Sequence, residues 1–300
     1  MGLESEKLYL KIINNLVDGV YYVNTFRRIT FWNKAAENIT GYKAEEIVGK
    51  CCQDNFLNHI DSDGRPLCLL GCPLFATIID GRQRKDTVFL QHKEGHRIPV
   101  FVNIFPIEED SKIVGAIEIF TQSPPSGYDN SALKKLLEMP LNDELAKITN
   151  RKKAESYLAY KLHEFERYQR KFCVVFFNLD NYNEFNAAYG QDTGEKMLNA
   201  VYKSISFNIR PYDFVSHWGV EEFVGIFEIT KNYEATLLAE KIRILVAMSE
   251  ISHEKGNLSV TGSFGVTVVR ENDTIEAIIE RAGSLMRQSA KNKNCVSSDA

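Results

Sequence analysis

Between Thr121 and Asn130 the chain reads Thr-Gln-Ser-Pro-Pro-Ser-Gly-Tyr-Asp-Asn, and the apolar periodicity on both sides stops there. Adjacent prolines remove two backbone donors and fix φ, and the glycine and small polar residues around them favour turns over any continuing helix or strand. One core running through this point is excluded. The 300 residues therefore divide into two units of ordinary domain size, expected at 5–122 and 141–300 with a linker at 123–140. Inside the linker, Ser131–Met139 predicts a short helix stopped by Pro140.

Charge excludes some functions. Residues 1–140 carry 16 basic and 18 acidic side chains and residues 141–300 carry 20 and 22, so neither unit has the basic excess of a nucleic-acid binder. The longest uncharged stretch of the first unit, Pro66–Ile79, is 14 residues long and broken by Gly71 and Pro73. A bilayer span needs about 18. The start, Met1-Gly2-Leu3-Glu4-Ser5-Glu6, lacks the basic and apolar regions of a secretory signal. The expectation is a cytoplasmic chain with no membrane or nucleic-acid partner. Six cysteines are too few for a disulfide scaffold and default to buried small side chains or thiol ligands.

In the first unit, Gly19–Val23 and Arg28–Trp32 read as short strands about a turn, followed by short helical pieces through Val48. Thr87–Leu90, Ile98–Val102 and Ile113–Phe120 follow as an antiparallel meander. The second unit changes period. Ala154, Tyr157, Leu158, Leu162 and Phe165 fall at helical spacing and lead into the apolar run Phe172–Phe177. A helix through Met197, Leu198, Val201 and Ile205, strands at Phe214–Trp218 and Phe223–Phe227, a helix at Leu237–Ala247, a strand near Val260–Val269 and a helix from Thr274 complete a β-α-β-β-α-β order. That is the ferredoxin-like α+β arrangement.

This order sets the first strand's end, Asn178-Leu179-Asp180, beside the turn Gly219-Val220-Glu221-Glu222. Carboxylates converging from neighbouring strand ends can hold a divalent cation against a triphosphate and activate an attacking hydroxyl. The plainer reading makes them solvated turn residues, with Asp180 an N-cap of the following helix.

Asn178-Leu179-Asp180, Asn186, Gly190, Gly194-Glu195, Arg210-Pro211-Tyr212-Asp213 and Gly219-Val220-Glu221-Glu222-Phe223 resemble, in order and spacing, the GGDEF domain of diguanylate cyclases, a match that opens with Asp143-Glu144-Leu145 and Asn150-Arg151. The resemblance implies the nucleotidyl-cyclase palm fold, a homodimer, Mg2+, and the joining of two GTP into cyclic di-GMP. It makes Glu221 and Glu222 the catalytic carboxylates, and Glu221, Leu179 and Asn178 the metal-binding positions. Asn186 and Glu195 would read guanine, with Gly219, Asn183 and Lys293 around the nucleotide. Arg210 and Asp213 match the site that binds the cyclic product, for which the plainer reading is a surface ion pair.

The sequence also departs from the family pattern. Asn178 stands where a metal-binding aspartate is usual, which keeps an oxygen and loses a charge. Val220 replaces the second signature glycine, and Asn183, Ser289 and Lys293 replace a lysine, a lysine and an arginine, so two of three phosphate-gripping charges are gone. The resulting expectation is a GGDEF domain that binds GTP or cyclic di-GMP with weak or no cyclase activity. An active cyclase and a non-enzymatic dimerisation module are the alternatives.

Residues 5–122 resemble a PAS domain, carried by Asp18-Gly19-Val20-Tyr21, Ile29–Ala36, Thr40-Gly41-Tyr42, Glu46–Lys50 and His92–Val100. The resemblance implies a dimerising sensor that controls the attached output, and leaves its ligand open. Cys51, Cys52, Cys68 and Cys72, with His59 between them, could converge on a metal or haem; a packed apolar loop is the plainer alternative. His92 and His96 are expected to be solvated strand-end residues, and Trp32 and Trp218 packing anchors.

Overall fold

The structure, a computed structural model, describes residues 3–300 apart from 53, 55, 70, 111, 123–143 and 211. The linker helix expected at Ser131–Met139 lies outside the described residues. Two compact units form, Met1–Pro124 and Pro125–Ala300.

The first unit runs α1 (Leu3–Asn14), β1 (Gly19–Asn24), β2 (Ile29–Trp32), α2 (Lys34–Thr40), α3 (Ala44–Ile47), α4 (Pro73–Asp80), β3 (Arg84–Gln91), β4 (Arg97–Glu109) and β5 (Lys112–Gln122). Its strands make one antiparallel sheet in the order β2-β1-β5-β4-β3. Tyr21, Trp32 and Phe120 meet in its core, with ring centroids 5.5–6.2 Å apart. Asn33 fastens the start of α2: its Oδ1 accepts the Val20 and Ala36 N–H groups, and its Nδ2 donates to the Ile13 and Asp18 carbonyls. Both lone pairs and both N–H groups of this buried side chain are used, and this is why an asparagine serves there.

The second unit comprises α5 (Glu144–Tyr168), β6 (Phe172–Leu179), α6 (Tyr182–Tyr189), α7 (Gln191–Ser206), β7 (Phe214–His217), β8 (Glu222–Glu228), α8 (Tyr233–Ala247), β9 (Glu250–His253), β10 (Gly256–Ser259), β11 (Gly262–Val268), α9 (Ile275–Ser289) and β12 (Val296–Ser298). The main sheet runs β12-β11-β6-β8-β7, with β6 antiparallel to both its neighbours. Its four long-range strands have the ferredoxin-like order read from the sequence. The short strand β12 and the separate β9–β10 hairpin are additions that the periodicity did not reveal. Phe177 stacks between its register partners Phe223 and Phe264 at 4.8 and 4.7 Å, so one aromatic file locks the three central strands together.

Among the described residues, no helix is long and apolar enough to cross a membrane.

Candidate functional site

β6 is buried through Phe177 and delivers Asn178 to its rim, where Asn178 pairs in register with Glu222 of β8 and Ser263 of β11. The Leu179 N–H donates to the Glu221 carbonyl at 3.2 Å, so the turn between β7 and β8 lies against the strand end. Asn178 Nδ2 donates to Glu221 Oε1 at 3.3 Å, while Asn178 Oδ1 is buried and has no hydrogen-bond partner.

The turn closes through the Trp218 and Gly219 N–H groups, both donating to the Glu222 carbonyl at 2.8 and 3.2 Å. Neither Gly219 nor Val220 has a positive φ. A β-branched residue at 220 therefore meets no backbone conflict in this turn, and Val220 projects outward, 60% exposed. Glu222 Oε2 leans over Gly219, 2.7 Å from where a Cβ would stand.

Asn186 and Glu195 come together through two helices that meet at Gly190, whose φ of 87° suits glycine. Asn186 packs on Gly194, where an added Cβ would stand 1.7 Å from Asn186 Oδ1. That oxygen is buried and unpartnered. Tyr182, which sequence reasoning missed, joins them: burial pushes its hydroxyl up to about 12, against a bond from Asn186 and with added repulsion from Glu195 and Glu221. Tyr182 thus lies within electrostatic reach of both Glu195 and Glu221.

Asp180 is not an N-cap. The residue preceding α6 is Asn181, in the left-handed region, and the Asp180 carboxylate instead accepts the Thr261 and Ser263 hydroxyls at 2.6 Å and the Asn294 N–H at 2.9 Å. It ties β6 to β11 and to the segment beyond α9. Lys293 lies in the same segment and donates to Asn181 Oδ1 at 2.6 Å, two residues before exposed Asn183. Ser289 is buried and bonds the Phe264 carbonyl and Ser297, which makes it a packing residue and no phosphate contact.

Arg210 and Asp213 sit apart, before β7. The Arg210 N–H donates to Asp213 Oδ2 at 2.9 Å and the Asp213 N–H returns to the Arg210 carbonyl at 3.0 Å, so the carboxylate is held by backbone and not by the guanidinium. Asp213 Oδ1 is buried without a partner, and burial pushes its acid up. Lys241, unlinked to this pair by any sequence spacing, lies near enough that, after burial, the Arg210 charge depresses its ammonium.

In the first unit, Cys51 points away from its neighbours, its Sγ directed at the Phe26 carbonyl at 3.6 Å. Cys52, Cys68, Cys72 and His59 line one cavity of about 10 Å³ with Tyr21 and Glu118. A space that size has no room for haem. His92 and His96 are not solvated: their rings stack at 4.3 Å and His96 is buried. Packing against α2's end, where His92 Nε2 faces Gly41, withdraws them from water. Their ring nitrogens and the Glu94 carboxylate lie within 4.8 Å of one another, although His92 Nδ1 already accepts the Glu94 N–H at 3.0 Å.

The family model described as "Diguanylate cyclase, GGDEF domain" matches residues 141–295, more than half of the chain. The chain belongs to the GGDEF family. A PAS-domain model matches residues 17–121, so a PAS unit precedes the GGDEF unit. The bifunctional diguanylate cyclase/cyclic di-GMP phosphodiesterase MucR of Pseudomonas aeruginosa is 31% identical over 139 residues, covering 46% of this chain and 20% of MucR. The response regulator PleD of Caulobacter vibrioides is 29% identical over 173 residues, covering 56% and 38%. The chain thus spans between a fifth and two-fifths of the length of these relatives. Diguanylate cyclase SiaD of Pseudomonas aeruginosa, solved with its activator SiaC, superposes with a TM-score of 0.50 at 25% identity over 56% of this chain and 64% of SiaD.

A magnesium ion of the kind this GGDEF family implies would meet the Glu221 carboxylate, Asn178 Oδ1 and the Leu179 carbonyl. All are hard oxygens, and the orphaned Asn178 oxygen is the acceptor such an ion satisfies. The donor set fits in kind and is one negative charge short of two carboxylates.

Proposed function

We infer that this chain is a PAS-controlled signalling protein of the cyclic di-GMP type whose GGDEF unit, at 141–300, binds guanine nucleotide and turns it over weakly or not at all. Asn178 carries the inference. Its amide donates to Glu221, the acid expected to hold metal, so the cradle is partly neutralised from within and presents one carboxylate in place of two. Glu221, Asn178 and Leu179 would hold Mg2+, which when bound draws charge from phosphate oxygens. Glu221 alone supplies the anionic grip, and a first-sphere charge lost there lowers metal affinity by at least the roughly 10- to 100-fold typical of losing an outer partner.

Binding is supported separately. The unpartnered Asn186 oxygen and the nearby Glu195 carboxylate are acceptors, matching a base edge rich in N–H donors such as that of guanine. Arg210, whose guanidinium makes no hydrogen bond to Asp213, and the buried Asp213 Oδ1 suit a guanine–phosphate ligand such as cyclic di-GMP. A chain that takes GTP would work in the cytoplasm, and two such sites facing each other in a homodimer would be needed for any product.

Calorimetric titration of the full chain with GTP and with cyclic di-GMP, each with and without Mg2+, tests the reading alongside chromatography of the products. Binding of at least one ligand, with GTP affinity changing less than about threefold on removing Mg2+, is expected. Turnover near or above about one per second, the ordinary range for enzymes, overturns the impaired-cyclase reading, and absence of both ligands overturns nucleotide binding.

A further inference from the structure

We propose that the cavity of the PAS unit is a binding site for one thiophilic divalent cation of the zinc type, held by Cys52, His59, Cys68 and Cys72. Three sulfurs and one imidazole from three separate stretches of chain line the same small space, whose volume of about 10 Å³ suits a single ion. Three thiolates and a histidine are the donor set of closed tetrahedral zinc sites, and Cys68 and Cys72 are separated by three residues, within the usual spacing of such ligand pairs.

An incoming ion displaces the thiol protons to solvent, and each sulfur donates an electron pair to it.

The remaining wall supports the same reading. The His59 imidazole lines the same wall and, when neutral, has a lone pair to give. Glu118, almost wholly buried, keeps Oε1 without a hydrogen-bond partner, 3.9 Å from His59 Nε2. That is where a carboxylate orients a metal-bound imidazole from behind. No three of these donor atoms lie within 4.8 Å of one another, so binding draws the sulfurs inward. Cys68 belongs to no strand or bridge, so its own movement breaks no pairing.

The test uses the full chain, purified without metal and loaded with Zn2+ or Co2+. We expect one ion per chain, a thiolate-to-cobalt charge-transfer band in the near ultraviolet, and loss of both in Cys68→Ser and in Cys72→Ser but not in Cys51→Ser. Since a serine variant can misfold, the unaltered chain gives a second readout. Zn2+ should slow alkylation of Cys52, Cys68 and Cys72 by tenfold or more and leave Cys51 and Cys295 unchanged. Equal alkylation with and without Zn2+ overturns the proposal. So does an ion that survives the cysteine substitutions and is lost in His92→Ala, which would assign it to the hairpin histidines.

Discussion

A single hydrogen on Gly194 lets Asn186 take its place, because a methyl there would overlap Asn186 Oδ1. Gly194→Ala is expected to push the asparagine aside at a stability cost of about 1–3 kcal/mol and to weaken GTP binding more than tenfold. Thermal melting and calorimetric titration of the variant check the two effects independently. Asn186 and Gly194 stand out in the sequence only through the GGDEF resemblance, and the close approach of one to the other is visible only in the fold. Asp180 was misread because its three partners, Thr261, Ser263 and Asn294, lie more than eighty residues away and no local pattern announces them. His96 was misread for a related reason, since a histidine beside a hairpin turn looks solvated until another element packs over it.

Elements with a strong apolar period were legible, and those without one were not. β6 announces itself as an unbroken hydrophobic run, whereas β9 and β10 offer only Ile251 and Leu258, register partners within otherwise polar strands. α9 shows how an element's start is fixed by polar chemistry. Thr274 accepts the Ala277 N–H, and the preceding Asp273 receives Arg281 Nη1 and Nη2 at 2.8 and 2.7 Å from two turns along the helix. Burial alone would raise the Asp273 acid, but the Arg281 bonds outweigh it and hold the acid below its ordinary range. Since the folded pKa lies below the unfolded one, the clamp's contribution is complete above about pH 4 and is lost as pH falls through the folded value. Urea unfolding from pH 7 to pH 3 should therefore show the gap between the unaltered chain and Asp273→Asn closing on the acid side.

Among the described residues there are two buried clusters, and each draws its residues from one unit only. Calorimetry should resolve two heat-absorption peaks. Phe177→Ala, which empties the centre of the aromatic file, should lower one by roughly 3–5 kcal/mol of stability and leave the other in place. A single peak displaced as a whole would show that the units unfold together. Both family assignments were legible because they rest on many separated residues at once; the thiol-lined cavity was only half legible, since four clustered cysteines stand out in the sequence but only folding turns Cys51 away from the other three.

The hydrogen that Asn178 lends to Glu221 also bears on how the empty-handed protein endures. Two facing acids repel whenever their cation departs, and a fold built that way leans on dissolved magnesium for part of its rigidity. Here the amide is a permanent counterweight. Melting of the GGDEF unit should consequently stay level from zero to millimolar Mg2+, while Asn178→Asp should melt lower without the ion and recover as it is added.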